Sequence, residues 1–266
     1  MDTLFNSADF VFFKSLLTEA GELGTDMQKG VLEVRRKHDG SIVTQADLAV
    51  QELLIERISG RYADFHFVYE ENFAGDIFDI DDETVTIIID PIDGSAMYSM
   101  YLPIWCISIG IFKGYSPLYG FVYSPGLNLY FHNDDRHAYL NDEIRLVEKV
   151  IQLDSESNIF HASEVHGGFF INFPGKIRNL GSTALHACLT VDNTRNRAVA
   201  FIGKSNLWDW AGAIPVILKA RGNLRYLSGA DIDYRAVIHN SYMFPDYLIS
   251  YNVPDFETIK KIFVRR

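Results

Sequence analysis

Apolar positions along the chain follow two periods in turn. Phe10, Phe13, Leu16, Leu17, Ala20 and Leu23 recur at helical spacing and predict a first helix of about six turns. Leu48, Leu53, Leu54 and Ile58 predict a second amphipathic helix that opens near Asp47. From Phe65 to about His132 strands dominate, with turns at Lys113-Gly114 and Ser124-Pro125-Gly126. Thr84-Val85-Thr86-Ile87-Ile88-Ile89, β-branched throughout, reads as a buried strand with Asp90 at its carboxyl end. The second half alternates. A helix is expected from Ser182 to about Leu189, a strand near Ala198–Phe201, and a helix from Asp209 toward Arg221-Gly222, kinked at Pro215. Ser228 to Asp233 is rich in turn residues, and Asp255 to Val264 reads as a final helix. Such alternation indicates a layered α/β or α+β architecture. No internal repeat, low-complexity tract or long linker interrupts it.

Composition narrows the class. With 266 residues, 48% of them apolar, the chain can bury a sizeable core and is not disordered. No apolar run reaches membrane-spanning length, and Met1-Asp2-Thr3-Leu4 lacks the basic-then-apolar start of a signal peptide. Cys106 and Cys188 lie among apolar neighbours and read as buried thiols, which fits a reducing cytoplasm. A net charge of −11 speaks against general nucleic-acid affinity. Clustered acids would instead be neutralised in part by divalent cations.

The densest chemistry lies in Asp90-Pro91-Ile92-Asp93-Gly94-Ser95. Its two carboxylates are close enough to reach one hard cation or share two, and Pro91 stiffens the link. Gly94-Ser95 can turn backbone N–H groups toward an anion as a helix begins. The carboxyl end of a strand is also where open α/β sheets place their sites. Taken alone, the stretch is equally a polar turn that caps a helix. Two distant segments change that balance. Phe65-His66-Phe67-Val68-Tyr69-Glu70-Glu71 is a short strand ending in adjacent acids, of which strand alternation turns one toward the site. Trp208-Asp209-Trp210-Ala211-Gly212 sets Asp209 near a helix N-terminus, favourable for a carboxylate even without a metal. The joint pattern points to metal-assisted phosphate chemistry. The acidic Asp79-Ile80-Asp81-Asp82-Glu83 lacks the glycine turn and distal Glu of a calcium-binding loop and reads as a solvated hairpin or loop.

Together these motifs resemble the inositol monophosphatase family, in the superfamily of lithium-sensitive, magnesium-dependent phosphatases. Glu-Glu after a strand, Asp-Pro-Ile-Asp-Gly-Ser and Trp-Asp-x-Ala-Gly stand here in the family's order. Val43-Thr44-Gln45-Ala46-Asp47, the loop Lys37-His38-Asp39-Gly40-Ser41 and the turn Gly181-Ser182-Thr183-Ala184 resemble further family segments, and the likeness runs from residue 8 to 255. The resemblance implies an αβαβα sandwich formed by a single domain over residues 1–266, its two intimately packed halves dividing near 140–155. It implies hydrolysis of a phosphomonoester by two-metal activation of water. Glu70, Asp90 and the backbone carbonyl of Ile92 would hold one Mg²⁺; Asp90, Asp93 and Asp209 would hold a second. Lys37 would close over a third, weaker metal or the phosphate. Oxygen-only ligands suit Mg²⁺ rather than zinc. By the same resemblance Glu70, Asp47 and Ser95 would handle the water, with Glu71 behind them. Gly94, Ser95, Gly181, Ser182, Thr183 and Asp209 would meet the substrate. Inhibition by Li⁺ and a homodimer follow from the resemblance alone.

The sequence departs from the family pattern without losing a metal ligand. Tyr69 stands where the family has Gly, Ala96-Met97-Tyr98 replaces an Asn-Phe pair, and Arg221 replaces a small residue. Seven residues before Asp209, where inositol-specific members carry Glu, is Ile202, and Glu at this position is expected to favour inositol phosphates. Lys204 and Ser205 nearby suit an additional anion. The expected substrate is an inositol or sugar monophosphate, with 3′(2′),5′-bisphosphate nucleotidase and histidinol-phosphatase activities as alternatives. A catalytically idle regulatory binding protein is the alternative of another class, but it has no need to keep Glu70, Asp90, Asp93 and Asp209.

Overall fold

The computed structural model describes residues 4–37, 40, 42–71, 73 and 80–266. The chain opens with helix α1 (Ser7–Gln28), a ribbon of β1 (Val34–Arg36) and β2 (Ile42–Thr44), and α2 (Gln45–Ser59). Next come β3 (His66–Tyr69), β4 (Val85–Asp93), α3 (Ser95–Ser99), β5 (Cys106–Lys113), β6 (Ser116–Ser124), β7 (Leu129–Asn133), β8 (Ala138–Leu140) and β9 (Glu143–Arg145). After a crossing segment the chain forms β10 (Asn158–His161), α4 (Val165–Gly168), β11 (Phe169–Ile171), β12 (Lys176–Arg178), α5 (Thr183–Leu189), α6 (Asn193–Asn196) and β13 (Ala198–Gly203). It closes with α7 (Leu207–Ala211), α8 (Ala213–Lys219), β14 (Asn223–Tyr226), α9 (Tyr234–His239), β15 (Leu248–Tyr251), α10 (Phe256–Ile262) and β16 (Phe263–Arg265).

Among the described residues, strands β3 to β9 form one sheet in chain order, parallel only at β3–β4. A second sheet has the order β12-β10-β13-β15-β14. The period-two pattern of β4 explains the layering. Ile87 and Ile89 pack with Phe13 and Leu17 of α1 and Val50 and Leu54 of α2, whereas Ile88 faces the other way. On that inner face Leu185 of α5, Trp210 of α7 and Ile214 and Ile217 of α8 fill the space up to Phe160, Phe201 and Leu248 of the second sheet. The far side of the second sheet, through Ile159, Val199 and Ile249, packs on Val165, Ile259 and Ile262 of α4 and α10. The order is therefore αβαβα, an α+β sandwich. No described helix is long and apolar enough to cross a membrane.

Three local expectations change. Strand β4 runs past Asp90 to Asp93, because Asp90 pairs with Ser108 and Asp93 with Cys106, so the intervening residues bulge. The late helix begins at Leu207 and breaks at Gly212, so Pro215 falls in the first turn of α8, where a backbone N–H has no intrahelical partner to lose. The final helix stops at Ile262. Phe263 turns extended and β16 pairs with β11, covering backbone that a longer helix would leave open. Tyr69 packs on the core beneath α1 and α2. Asp79 lies outside the described residues, and Asp81 accepts the backbone N–H groups of Glu83 and Thr84 in a turn ahead of β4.

Candidate active site

Three carboxylates converge where α7 packs on β4. One oxygen each of Asp90, Asp93 and Asp209 lies within 4.8 Å of the others. Asp90 and Asp93 come from β4, and the bulge between them lets residues three apart serve one centre. Asp209 is the third residue of α7, where its Oδ2 accepts the Asn206 N–H at 2.8 Å in a capping box.

Each acid is held differently. Asp90 Oδ1 accepts the Ile92 N–H at 3.1 Å, whereas Asp90 Oδ2 is buried with no hydrogen-bond donor among the described residues. Asp93 is firmly bound: Oδ2 accepts Ser182 Oγ at 2.5 Å and the Ala184 N–H at 2.6 Å, and Oδ1 accepts the Thr183 N–H at 3.0 Å. Cys106 Sγ lies 3.6 Å from Asp93 Oδ2. Burial pushes the Asp93 carboxyl up to about 6 despite those donors. For Asp90 burial also dominates, reinforced by the charges of Glu70, Asp93 and Asp209, and its pKa lies well above the carboxylate range. Asp209 is raised for the same reasons, burial first, then Glu70 and Asp93. Three acidic side chains, two of them buried, thus crowd together, and each disfavours ionisation of the others. The donor set is oxygen only, and it fits a hard divalent cation such as Mg²⁺.

Beside this cluster, Lys37 Nζ donates to Glu70 Oε1 at 2.7 Å and Glu71 Oε1 at 2.6 Å. Both acids therefore face the lysine, contrary to strict alternation, because β3 ends at Tyr69 and the chain turns at Glu70 and Glu71. Burial disfavours the Lys37 ammonium, yet Glu70 and Glu71 outweigh it and its pKa is raised. Burial pushes Glu71 up to about 7 even with Lys37 beside it. His38, Asp39 and Ser41 of the lysine loop lie outside the described residues. Lys37, Thr44, Glu70, Glu71 and Trp208 line a cavity of about 630 Å³.

Asp47 and Ser95 meet behind the cluster. Asp47, fully buried, accepts the Thr44 N–H at 2.8 Å and Thr44 Oγ1 at 2.6 Å, and its other oxygen accepts Ser95 Oγ at 3.0 Å. Ser95 Oγ also lies 2.9 Å from the Ile92 carbonyl. One hydroxyl proton serves one of these acceptors at a time. Gly94 takes φ +98°, and a Cβ there would come within 3.3 Å of the Gly181 and Ile104 carbonyls. No side chain caps α3, so its first N–H groups are not claimed by one.

The structure redistributes part of the expected set. The Ser182 hydroxyl and Thr183 N–H are engaged on Asp93, and the Gly181 N–H donates to Asn179 Oδ1 at 2.8 Å. Ile202 is fully buried in the outer core of the second sheet, so Glu there would enter apolar surroundings rather than the cleft. Sequence reading missed Gln51, which braces Glu71 with two backbone hydrogen bonds at 3.1 Å. It also missed the capping boxes at Thr44-x-x-Asp47 and Asn206-x-x-Asp209, for which the three-residue spacing was the available signal.

Comparison with known proteins places this geometry. The sequence matches the model of the "Inositol monophosphatase family" over residues 9–249. It is 30% identical over 237 residues to inositol monophosphatase 1 of Solanum lycopersicum, covering 80% of this chain and 82% of that one. A Thermotoga maritima IMPase structure superposes with a TM-score of 0.79 at 24% identity, covering 97% and 96% of the two chains. An IMPase/NADP phosphatase complexed with Mg²⁺ and phosphate gives 0.77 at 19% identity, covering 94% and 92%. The chain therefore belongs to the inositol monophosphatase family, whose members hydrolyse phosphoric monoesters.

Proposed function

We propose that this chain is a Mg²⁺-dependent phosphatase acting on an inositol or sugar monophosphate. The observation that carries the reading is Asp90 Oδ2, a buried carboxylate oxygen with no hydrogen-bond donor among the described residues, set beside Asp93 and Asp209. Glu70, Asp90, Asp93, Asp209 and the Ile92 carbonyl would hold two Mg²⁺ ions, with Lys37 over a third position or the phosphate. Bound there, Mg²⁺ supplies Lewis-acid polarisation of phosphoryl oxygens and lowers the pKa of water.

The chain's own residues divide the remaining tasks. If the Ile92 carbonyl serves as a ligand, the Ser95 hydroxyl would donate its hydrogen bond to Asp47, leaving lone pairs on Ser95 Oγ to accept one from the attacking water. Thr44 fixes Asp47 through two hydrogen bonds, so Ser95 keeps one orientation. Glu70 orients the same water, and Lys37 balances Glu70 against Glu71. Gly94 and Ser95 N–H groups receive phosphate oxygens. Lithium inhibition, a homodimer and a cytoplasmic location complete the reading.

Phosphate release with and without Mg²⁺ tests it, across inositol 1-phosphate, fructose 1,6-bisphosphate, adenosine 3′,5′-bisphosphate, NADP and histidinol phosphate. Mg²⁺-dependent turnover of inositol 1-phosphate, abolished by Li⁺, is expected. Preference for a nucleotide would move the substrate and keep the mechanism. A folded chain that neither turns over any ester nor binds Mg²⁺ would be the idle binding protein.

A further inference from the structure

The turn that grips Asp93 is held from behind by a residue outside every motif. The Leu180 N–H donates to His186 Nε2 at 2.7 Å. His186 lies on α5, 1% exposed, with its ring tilted between Phe160 and Phe201 at centroid distances of 5.5 and 5.0 Å. Because Nε2 accepts, the proton of the neutral ring is on Nδ1, which is buried without a partner among the described residues. A leucine would fill such a pocket without burying a lone polar N–H. What histidine adds over an apolar side chain is therefore the acceptor for Leu180.

That acceptor lies at a turn that only glycine fits. Gly181 is left-handed at φ +85°, and a Cβ there would overlap Met97. The Gly181 N–H is held by Asn179 Oδ1, whose own amide donates to Ser163 Oγ at 3.0 Å. Two side-chain acceptors, His186 and Asn179, thus fix the approach to residues 182–184. The next three residues deliver the Ser182 hydroxyl and the Thr183 and Ala184 N–H groups to Asp93. Burial lowers the His186 pKa to about 3, so the ring remains a neutral acceptor near neutral pH.

We propose that His186 is a positioning residue whose Nε2 fixes the 180–184 turn and, through it, the orientation in which Asp93 meets a divalent cation. The inference rests on the reading of Asp93 as a ligand. It adds a residue that touches neither metal nor substrate, acting through two intermediaries as outer-shell partners do.

Calorimetric titration of Mg²⁺ into the wild-type chain, His186→Leu and His186→Gln tests it. The Leu variant is expected to bind Mg²⁺ roughly tenfold more weakly, within the range typical of outer-shell changes. The Gln variant, whose amide oxygen restores an acceptor, should recover most of that loss. Equal weakening in both variants would assign the effect to packing and overturn the proposal. Binding that is blind to residue 186 overturns this inference alone, whereas a wild-type chain that binds no Mg²⁺ overturns the metal reading with it. Should the Leu variant not fold, long-range ¹⁵N spectra of the wild-type imidazole decide: a protonated Nδ1 with an accepting Nε2 is expected, and a protonated Nε2 refutes the contact.

Discussion

Asp90 shows at the scale of one residue how this site trades stability for chemistry. Its Oδ2 is buried, unpaired and surrounded by the charges of Glu70, Asp93 and Asp209, an arrangement that opposes folding in the absence of a cation. Asp90→Asn keeps the shape and removes the charge. In Mg²⁺-free buffer the variant is expected to melt at a higher temperature than the wild type, because repulsion among buried carboxylates is relieved. Its Mg²⁺ affinity and turnover should fall by more than the roughly 10–100-fold typical of an outer-shell change. Paired melting curves and Mg²⁺ titrations check both directions; a fall in apo stability would contradict the electrostatic account.

Among the elements, the α7–α8 junction decides where Asp209 sits. It lies on β5 and β6 through glycines. A Cβ at Gly110 would be 2.5 Å from the Ala211 carbonyl oxygen, and one at Gly120 would overlap the Gly212 carbonyl while lying 3.2 Å from Pro215 Cδ. Gly120→Ala should therefore push the junction off the sheet, destabilise the fold by about 1–3 kcal/mol as overpacking does, and weaken Mg²⁺ binding by moving Asp209. Denaturant unfolding and metal titration of that variant measure the two effects. The other end of α8 offers the reverse case. The Gly222 N–H reaches the Ile217 carbonyl and the Arg221 N–H that of Leu218, a Schellman motif with Arg221 at φ +61° where glycine is favoured. Arg221→Gly should relieve that conformation and stabilise the protein by about 0.5–1 kcal/mol, net of glycine's larger unfolded-state entropy. An unchanged denaturation midpoint would count against it.

For the whole molecule, Asp90 and Asp93 lie on the first sheet and Asp209 on α7, so a cation held by all three would tie these elements together. We propose that the halves form a single domain for this reason as well as through the apolar layer they share. Mg²⁺ at 100 times its dissociation constant should add about 2.7 kcal/mol of stability, and chelation should remove it; scanning calorimetry with and without the ion reads the difference. Stability should also depend on His132, whose ring stacks on Tyr130 and Tyr139 at 4.8 Å each. Burial lowers its folded pKa to about 4 from an ordinary 6.5. Between these values the unfolded chain binds the extra proton, so stability falls as pH drops through that window, by at most about 3 kcal/mol. His132→Phe retains the stack without the titration, and its melting temperature should vary less between pH 6.5 and 4 than that of the wild type.

The chain by itself determined much of its local structure and the acidic motifs that form the candidate site. Period-two and helical patterns located β4, α1 and α2 because those elements each bury one face, and β4 carries alternating residues into two different cores. Asp90, Asp93 and Asp209 were legible because each stands in a short motif at the end of a strand or the start of a helix, and the motifs occur together. Tertiary structure decided the rest. The bulge after Asp90, the break at Gly212 and the strand after Ile262 each depend on a partner distant in sequence: Cys106 and Ser108, the glycines of β5 and β6, and β11. The same holds for Ile202, whose side chain was assigned to the cleft by counting and to the outer core by the face of β13 it occupies. His186 carried no motif at all. Its role exists only where a neutral ring nitrogen, two phenyl rings and the Leu180 N–H are brought together, because hydrogen bonds and burial are set by distance in space and not by spacing along the chain.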